Sequence, residues 1–180
     1  MLYISDQKRL LISEILKIGV TKPFHRVTLR IVVDRDFRFG LSMIFREGGV
    51  PTHSTGLYAI YAEGPESDEC LYVGESNHCV SQRVRKFFKE LADCSHEDED
   101  HAGARRASDN GGYTIDSHEY KVKWVSWAEI YRIASEKNIN TDFRYLDEFV
   151  AHHLKSKYNS STFLQYGYNG RTLEEFLEVA

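Results

Sequence analysis

The stretch Gly56–Phe88, GLYAIYAEGPESDECLYVGESNHCVSQRVRKFF, decides how the chain is read. It divides into strand, turn, strand and helix. Gly64-Pro65-Glu66-Ser67-Asp68 is a turn built of strong breakers, with a strand-forming run on either side. Side chains alternate along a strand, so Tyr58 and Ile60 face one way and Leu57, Ala59 and Tyr61 the other. Beyond Tyr72-Val73-Gly74, the residues Val80, Val84, Phe87, Phe88 and Leu91 recur at helical spacing and predict a helix over 80–91 with one buried stripe. Arg83 and Arg85 flank that stripe. A flanking arginine lays its stem along the core while its guanidinium reaches into a cleft. Tyrosines on a hairpin that face an arginine on the next helix point to a site that handles phosphate.

On the N-terminal side, SDQKRLLISEILKI (5–18) predicts an amphipathic helix capped by Ser5, with Leu10, Leu11, Ile15 and Ile18 on one stripe and Gly19 as its stop. HRVTLRIVV (25–33) is β-branched and predicts a strand. RDFRFGLSMIFR (35–46) alternates basic and apolar residues around Gly40, the pattern of a strand pair or a bent strand. Gly48-Gly49 and Pro51 mark a boundary. This region reads as an extension packed on the core, or else as a substrate-contacting element whose Arg26, Arg30, Arg35, Arg38 and Arg46 supply phosphate contacts.

On the C-terminal side, residues 93–112 hold an acidic run and then AGARRASDNGG, and read as a long loop. His96 and His101 bracket the carboxylates, and a solvated charge run is favoured over a metal site there. SHEYKVKWVSW (117–127) sets Tyr120, Val122 and Trp124 against Lys121 and Lys123, a half-buried strand. A helix follows to Lys137 with Ser126 as its cap. Thr141 caps a further helix, TDFRYLDEFVAHHLKSK, whose buried face is Phe143, Leu146, Phe149, Val150 and Leu154. Glu148 lies roughly opposite that face. RTLEEFLEVA (171–180) predicts a short covering helix.

The totals bound the answer. A chain of 180 residues fits one domain, and 42% hydrophobic with 13% aromatic residues can fill a core. No run of about 18 apolar residues occurs, and the start lacks a basic region followed by an apolar block, so no membrane span and no secretory signal are expected. Cys70, Cys79 and Cys94 are odd in number and lack C-x-x-C spacing, which favours a reducing cytoplasm over disulfides or structural zinc. The net charge of −4 counts against a polyanionic partner, but Asp93–His101 alone carries five carboxylates and no Lys or Arg, and the rest of the chain is +1. Charges beyond ~8–10 Å are screened, so local charge decides.

Taken in order, the chain offers a strand with tyrosine, a strand with tyrosine, a helix with arginine, a strand, a helix with glutamate, and then asparagine. This order resembles the GIY-YIG endonuclease family over about Ser54–Asn159. GLY (56–58) stands for the family's GIY and YVG (72–74) for its YIG. QRVRKF (82–87) resembles its arginine helix, and EFVAHHLKSKYN (148–159) its segment with glutamate and asparagine. Either tripeptide alone is weak; the joint pattern is specific.

The resemblance implies an α/β fold of the α+β type, a small, mostly antiparallel central sheet flanked by helices. It implies the catalytic set Tyr58, Tyr72, Arg83, Glu148 and Asn159, with Glu148 holding one Mg²⁺ per site and Mn²⁺ as a substitute. One family spacing fits Asp147 slightly better than Glu148, but Asp147 lies near the edge of the apolar stripe, and the helical face favours Glu148. The family's additional His or Lys has no clear counterpart; His101, Lys86 and Lys89 are candidates.

In chemical terms, a phosphodiester needs an activated water, stabilised charge on phosphorus and an assisted leaving oxygen. Arg83 presents a planar fork to phosphate. Tyr58 orients or deprotonates the water, with a cation and Arg83 favouring its phenolate. Tyr72 supports that water or the phosphate, and Asn159 fixes geometry from behind.

The implied activity is metal-dependent hydrolysis of double-stranded DNA, most like the short type II restriction endonucleases, with palindromic sites favouring a homodimer. DNA contacts fall to Arg85, Lys86, Arg105, Arg106, Asn110, Arg35 and Arg38. The rivals are a structure-directed or repair nuclease of the same fold, a non-catalytic nucleic-acid-binding module, and an RNA-directed nuclease. The organisation expected is an extension over 1–53, a nuclease core over 54–160 with the 93–112 loop inserted, and a C-terminal extension over 161–180 packed on the core.

Overall fold

The strands Gly56–Ala62, Glu69–Ser76 and Tyr120–Ser126 form an antiparallel sheet that two N-terminal strands extend, and helices are arranged on its two faces. The computed structural model describes residues 4–21, 25–33, 39–45, 50, 53–92, 101–140 and 146–154; of these, the side chains of 4, 5, 19–21, 25–33, 39–45, 148, 149 and 152 lie outside the described set. The elements in chain order are α1 (Ile4–Thr21), β1 (His25–Val33), β2 (Phe39–Phe45), β3 (Gly56–Ala62), β4 (Glu69–Ser76), α2 (Val80–Leu91), α3 (Ala102–Gly111), β5 (Tyr120–Ser126), α4 (Trp127–Glu136) and α5 (Leu146–His153). The sheet order is β2-β1-β5-β3-β4, and every pairing is antiparallel. The mixed α/β class with a small antiparallel sheet is therefore as expected. Among the described residues no helix is long and apolar enough to cross a membrane.

β3 is the central strand and is buried along nearly its whole length. Its alternation sorts the interior into two cores. Tyr58, Ile60 and Ala62 join Val80, Val84, Phe87, Phe88 and Leu91 of α2 and Ala104 and Ala107 of α3. Leu57 and Ala59 join Leu11, Ile12 and Ile15 of α1, Ile130 and Ile133 of α4, and Leu146, Val150 and Ala151 of α5. The result is a layer of helices on each face, with all five predicted stripe residues of α2 buried.

Gly56 opens β3 at φ +150°, and a Cβ there would stand 2.0 Å from the Val125 carbonyl oxygen, so only glycine lets β3 approach β5. The breaker turn after β3 is pinned from β5 by Lys121, whose ammonium donates to Asp68 at 2.9 Å and lies 3.3 Å from Glu63.

Within the N-terminal region 35–46, the described residues Phe39–Phe45 form β2, which pairs with β1 from Val27↔Phe45 to Val33↔Phe39. β1 in turn joins β5 through His25–Val27. The extension is thus continuous with the central sheet. α1 starts at Ile4, ahead of the expected cap Ser5, and passes through the expected stop Gly19 to Thr21. A single glycine costs a helix only about 1 kcal/mol relative to alanine, too little to end one that is packed along its apolar face. Ile12, which the periodicity did not single out, is fully buried beside Leu11.

The largest departure lies in 93–112. Its second half is a helix, α3, with His101 as N-cap and Gly112 as a left-handed C-cap at φ +67°. The Gly-rich composition of AGARRASDNGG reads as loop, yet Ala104 and Ala107 are fully buried and Gly103 is buried with them. Small residues let this helix lie close on its neighbours, and that packing outweighs low propensity. The helix over 127–137 forms as expected, with Ser126 Oγ accepting from the Glu129 amide at 3.2 Å. Residues 93–100, the Thr141 cap, Phe143 and the predicted helix over 171–180 lie outside the described residues.

Candidate functional site

The hairpin β3–β4 sets two tyrosines on one face through its register. Tyr58 pairs with Gly74 and Ile60 with Tyr72, and the register shifts at Ile60/Tyr61, so that Tyr61 pairs with Cys70. Leu71 is the extra residue of a β-bulge. Leu71 and Tyr72 therefore both belong to the α2 and α3 side, which strict alternation forbids. The two tyrosine rings stand 6.0 Å apart between centroids. Gly74 lies beneath them. A Cβ there would be 2.6 Å from Tyr72 Cε1 and 2.7 Å from the Tyr58 hydroxyl oxygen. The glycine of YVG is thus required by the tyrosines themselves.

Arg83 lies on the exposed flank of α2, and its charge acts on both tyrosines and on His101. Tyr58 and Tyr72 are held well above the ordinary tyrosine range, Tyr72 at about 12. Burial is the main cause for each. Arg83 pulls both down, while Asp147 pushes both up. The expectation that Arg83 helps toward phenolate holds in direction, but desolvation wins, and both groups are neutral phenols at neutral pH. The Tyr58 hydroxyl is buried without a hydrogen bond of good geometry, although Arg83 and Tyr72 lie close enough to act on it.

Among the described residues, the carboxylate whose charge reaches both tyrosines is Asp147. α5 packs on β4, the edge strand, and from there Asp147 influences groups that belong to the opposite layer. Leu146, Val150 and Ala151 are buried, and Asp147 is half-buried with Ala151 to one side of it on the helix. Glu148 is within α5, but its side chain lies outside the described residues, as do Asn159, Arg35 and Arg38.

The residues expected to contact DNA divide into two groups. Arg106 and Lys86 act on the site, Arg106 on Tyr72 and His101 and Lys86 on His101. Arg85 and Asn110 are exposed on α2 and near the end of α3. Arg105 is exposed and pairs with Glu90 of α2 at 3.2 Å, so it ties two helices together.

His101, considered from sequence only as one of several candidates, is buried at 5% exposure. Its Nδ1 accepts from the Ala104 amide at 3.3 Å, which caps α3. Its ring meets Tyr72 edge-on at 4.8 Å and Phe87 at 5.2 Å. Burial, then Arg83, Arg106 and Lys86, hold its pKa down at about 4, so it is neutral at pH 7. Gly103 drew no attention in the sequence. A Cβ there would stand 2.4 and 2.6 Å from Tyr72 Cδ2 and Cε2. Only an anticipated α3 could have exposed that requirement.

Compared with known proteins, the chain matches no family model, no curated protein and no solved structure.

Proposed function

We propose that this chain is a metal-dependent endonuclease of the GIY-YIG type that hydrolyses double-stranded DNA, acting as a sequence-specific homodimer like the type II restriction enzymes. The observation that carries the reading is convergence: Tyr58, Tyr72, Arg83 and Asp147, from β3, β4, α2 and α5, act on one another electrostatically. Four residues so far apart in sequence have no packing reason to meet as buried phenols, a guanidinium and a carboxylate.

The donor set suits a hard divalent ion. Asp147 supplies a carboxylate, and the Tyr58 hydroxyl is a buried oxygen without a well-formed partner. Asp147 would hold Mg²⁺, with Mn²⁺ as a substitute; Glu148 is the other carboxylate on this helix. When bound, the ion supplies positive charge to the phosphate and acidifies water.

The chain's own residues do the rest. Arg83, exposed at the rim, offers two parallel donors to phosphate oxygens. Tyr58, as a neutral phenol, orients water or donates to a phosphate oxygen, and is a poor base until added positive charge offsets its burial. Tyr72 supports Tyr58 from the neighbouring strand. Arg106, Lys86 and Arg85 extend positive charge along α2 and α3 for the flanking backbone.

The test is incubation of plasmid and genomic DNA with Mg²⁺ and the native chain, Arg83→Ala, Asp147→Asn or Glu148→Gln. Discrete fragments are expected from the native chain, with cleavage by Arg83→Ala and Asp147→Asn lowered by roughly 10²–10³-fold, the effect of removing one charge-stabilising donor. Loss in Glu148→Gln with Asp147→Asn unaffected would move the metal to Glu148. A smear instead of fragments would favour a structure-directed enzyme. No cutting of plain, branched or RNA substrates would overturn the catalytic reading.

A further inference from the structure

The segment that starts α3 lies against Tyr72 more closely than helix packing requires. Tyr72 is confined on both edges of its ring. Gly74 lies at Cε1, and Gly103 lies at Cδ2 and Cε2, each so near that a methyl group would enter the ring's own space. The His101 imidazole stands edge-on to Tyr72 and also meets Phe87. One side chain thus touches β4 and α2 while capping α3. The His101 Nδ1 accepts a hydrogen bond, so in the neutral ring the proton sits on Nε2, which is buried and has no hydrogen-bond partner among the described residues.

A simple N-cap has no need of an imidazole. Asn, Asp or Ser would cap as well or better without burying an aromatic ring. Leaving a buried N–H unsatisfied costs about 1–3 kcal/mol. The ring's shape, filling the corner between Tyr72 and Phe87, accounts for its presence where a cap alone does not.

We propose that His101 and Gly103 are positioning residues for Tyr72: the imidazole wedges the ring from α3's cap while Gly103 lets the helix close over it, so that docking of α3 fixes the Tyr72 hydroxyl against Tyr58 and Arg83. This rests on the nuclease reading for its consequence, but the confinement of Tyr72 is measurable without it. His101 remains uncharged in this role, since Arg83 and Lys86 from α2 and Arg106 from α3 all oppose its protonation.

The experiment compares the full native chain with His101→Asn and Gly103→Ala. Ring resonances of Tyr72 are followed by NMR in tyrosine-labelled protein, with plasmid cleavage in Mg²⁺ measured beside them. Asn keeps the cap and removes the wedge. In His101→Asn the Tyr72 signals are expected to shift, and turnover is expected to fall roughly 10- to 100-fold, the order of effect of a misplacement near 1 Å, with DNA affinity within about twofold. Gly103→Ala should move the same signals. Should Gly103→Ala fail to fold, His101→Asn decides alone. Unmoved Tyr72 signals and native turnover in His101→Asn would reduce His101 to a cap and overturn the proposal. If the native chain cuts no DNA, the nuclease reading falls, and the Tyr72 resonances alone then uphold or overturn the positioning claim.

Discussion

The two faces of the sheet are buried to the same degree and built of different material. On the α1, α4 and α5 side the interior is almost wholly aliphatic, with Leu11, Ile12, Leu57, Val73, Ile130 and Val150 packed together. On the α2 and α3 side it contains Tyr58, Phe87, Phe88, Tyr113 and Tyr120, with Tyr72 against them and His101 in contact with Tyr72 and Phe87. Aliphatic packing stabilises by area and needs no partners. Buried hydroxyls and imidazoles carry a desolvation cost that each must offset. Some do: Tyr120 donates to the Thr114 carbonyl and Tyr113 to Glu69. The Tyr58 hydroxyl and His101 Nε2 have no well-formed partner among the described residues. One face is thus aliphatic packing, and the other carries the desolvation cost of the buried polar groups that make up the candidate site.

The difference can be attacked first where it should vanish. Ile130 and Phe88 are both fully buried, one on each face. Ile130→Ala should cost about 2–5 kcal/mol and Phe88→Ala about 3–5 kcal/mol in denaturant unfolding. A much smaller loss for Phe88→Ala would mean that the aromatic face is loosely packed, and the contrast would have to be recast.

The next test is pH. His101 has a folded pKa near 4 and an ordinary value of 6.5. The unfolded chain binds the extra proton between those values, so His101 contributes stability that is complete above about pH 6.5 and is lost as pH falls toward 4. The loss is on the order of 3 kcal/mol. The stability of the native chain should fall across that window more steeply than that of His101→Asn. Parallel curves for the two proteins would show that His101 is not neutralised by the fold.

Tyr58→Phe separates the faces most directly. It removes a buried hydroxyl with no well-formed partner among the described residues, so stability should stay level or rise by about 1 kcal/mol, while on the proposed nuclease reading DNA cleavage falls. A clear loss of stability would reveal that the hydroxyl is bound after all. The smallest effect is expected on the exterior of the aliphatic side: Ser126→Ala removes the cap of α4 and should cost about 1 kcal/mol without changing cleavage by the remaining folded protein.

Much of the fold was legible because it is local. The α2 stripe, the Ser126 cap, the breaker turn and the alternation of β3 are written in spacings of two to four residues. The α3 helix was not legible, because AGARRASDNGG has poor helical propensity and forms where Ala104 and Ala107 find a surface to pack on. Of the candidate site, Tyr58, Tyr72 and Arg83 were singled out from the hairpin and the helix after it, and the structure brings them near one another. The carboxylate was harder. Periodicity set Asp147 at the margin of a stripe and favoured Glu148; Asp147 is half-buried and its charge reaches both tyrosines, while the Glu148 side chain lies outside the described residues.

The sequence by itself determined the hairpin, the tyrosines on it, the arginine one helix later and the apolar faces that sort into two layers. Each follows from the pitch of a strand or a helix, which every residue carries locally. Only the tertiary structure decided that a bulge at Leu71 sets two neighbours on one face, that Gly74 and Gly103 grip the Tyr72 ring, that His101 is a neutral buried group, and that Asp147 acts on both tyrosines. Those are consequences of steric exclusion and desolvation between segments far apart in the chain, and neither exists until the segments meet.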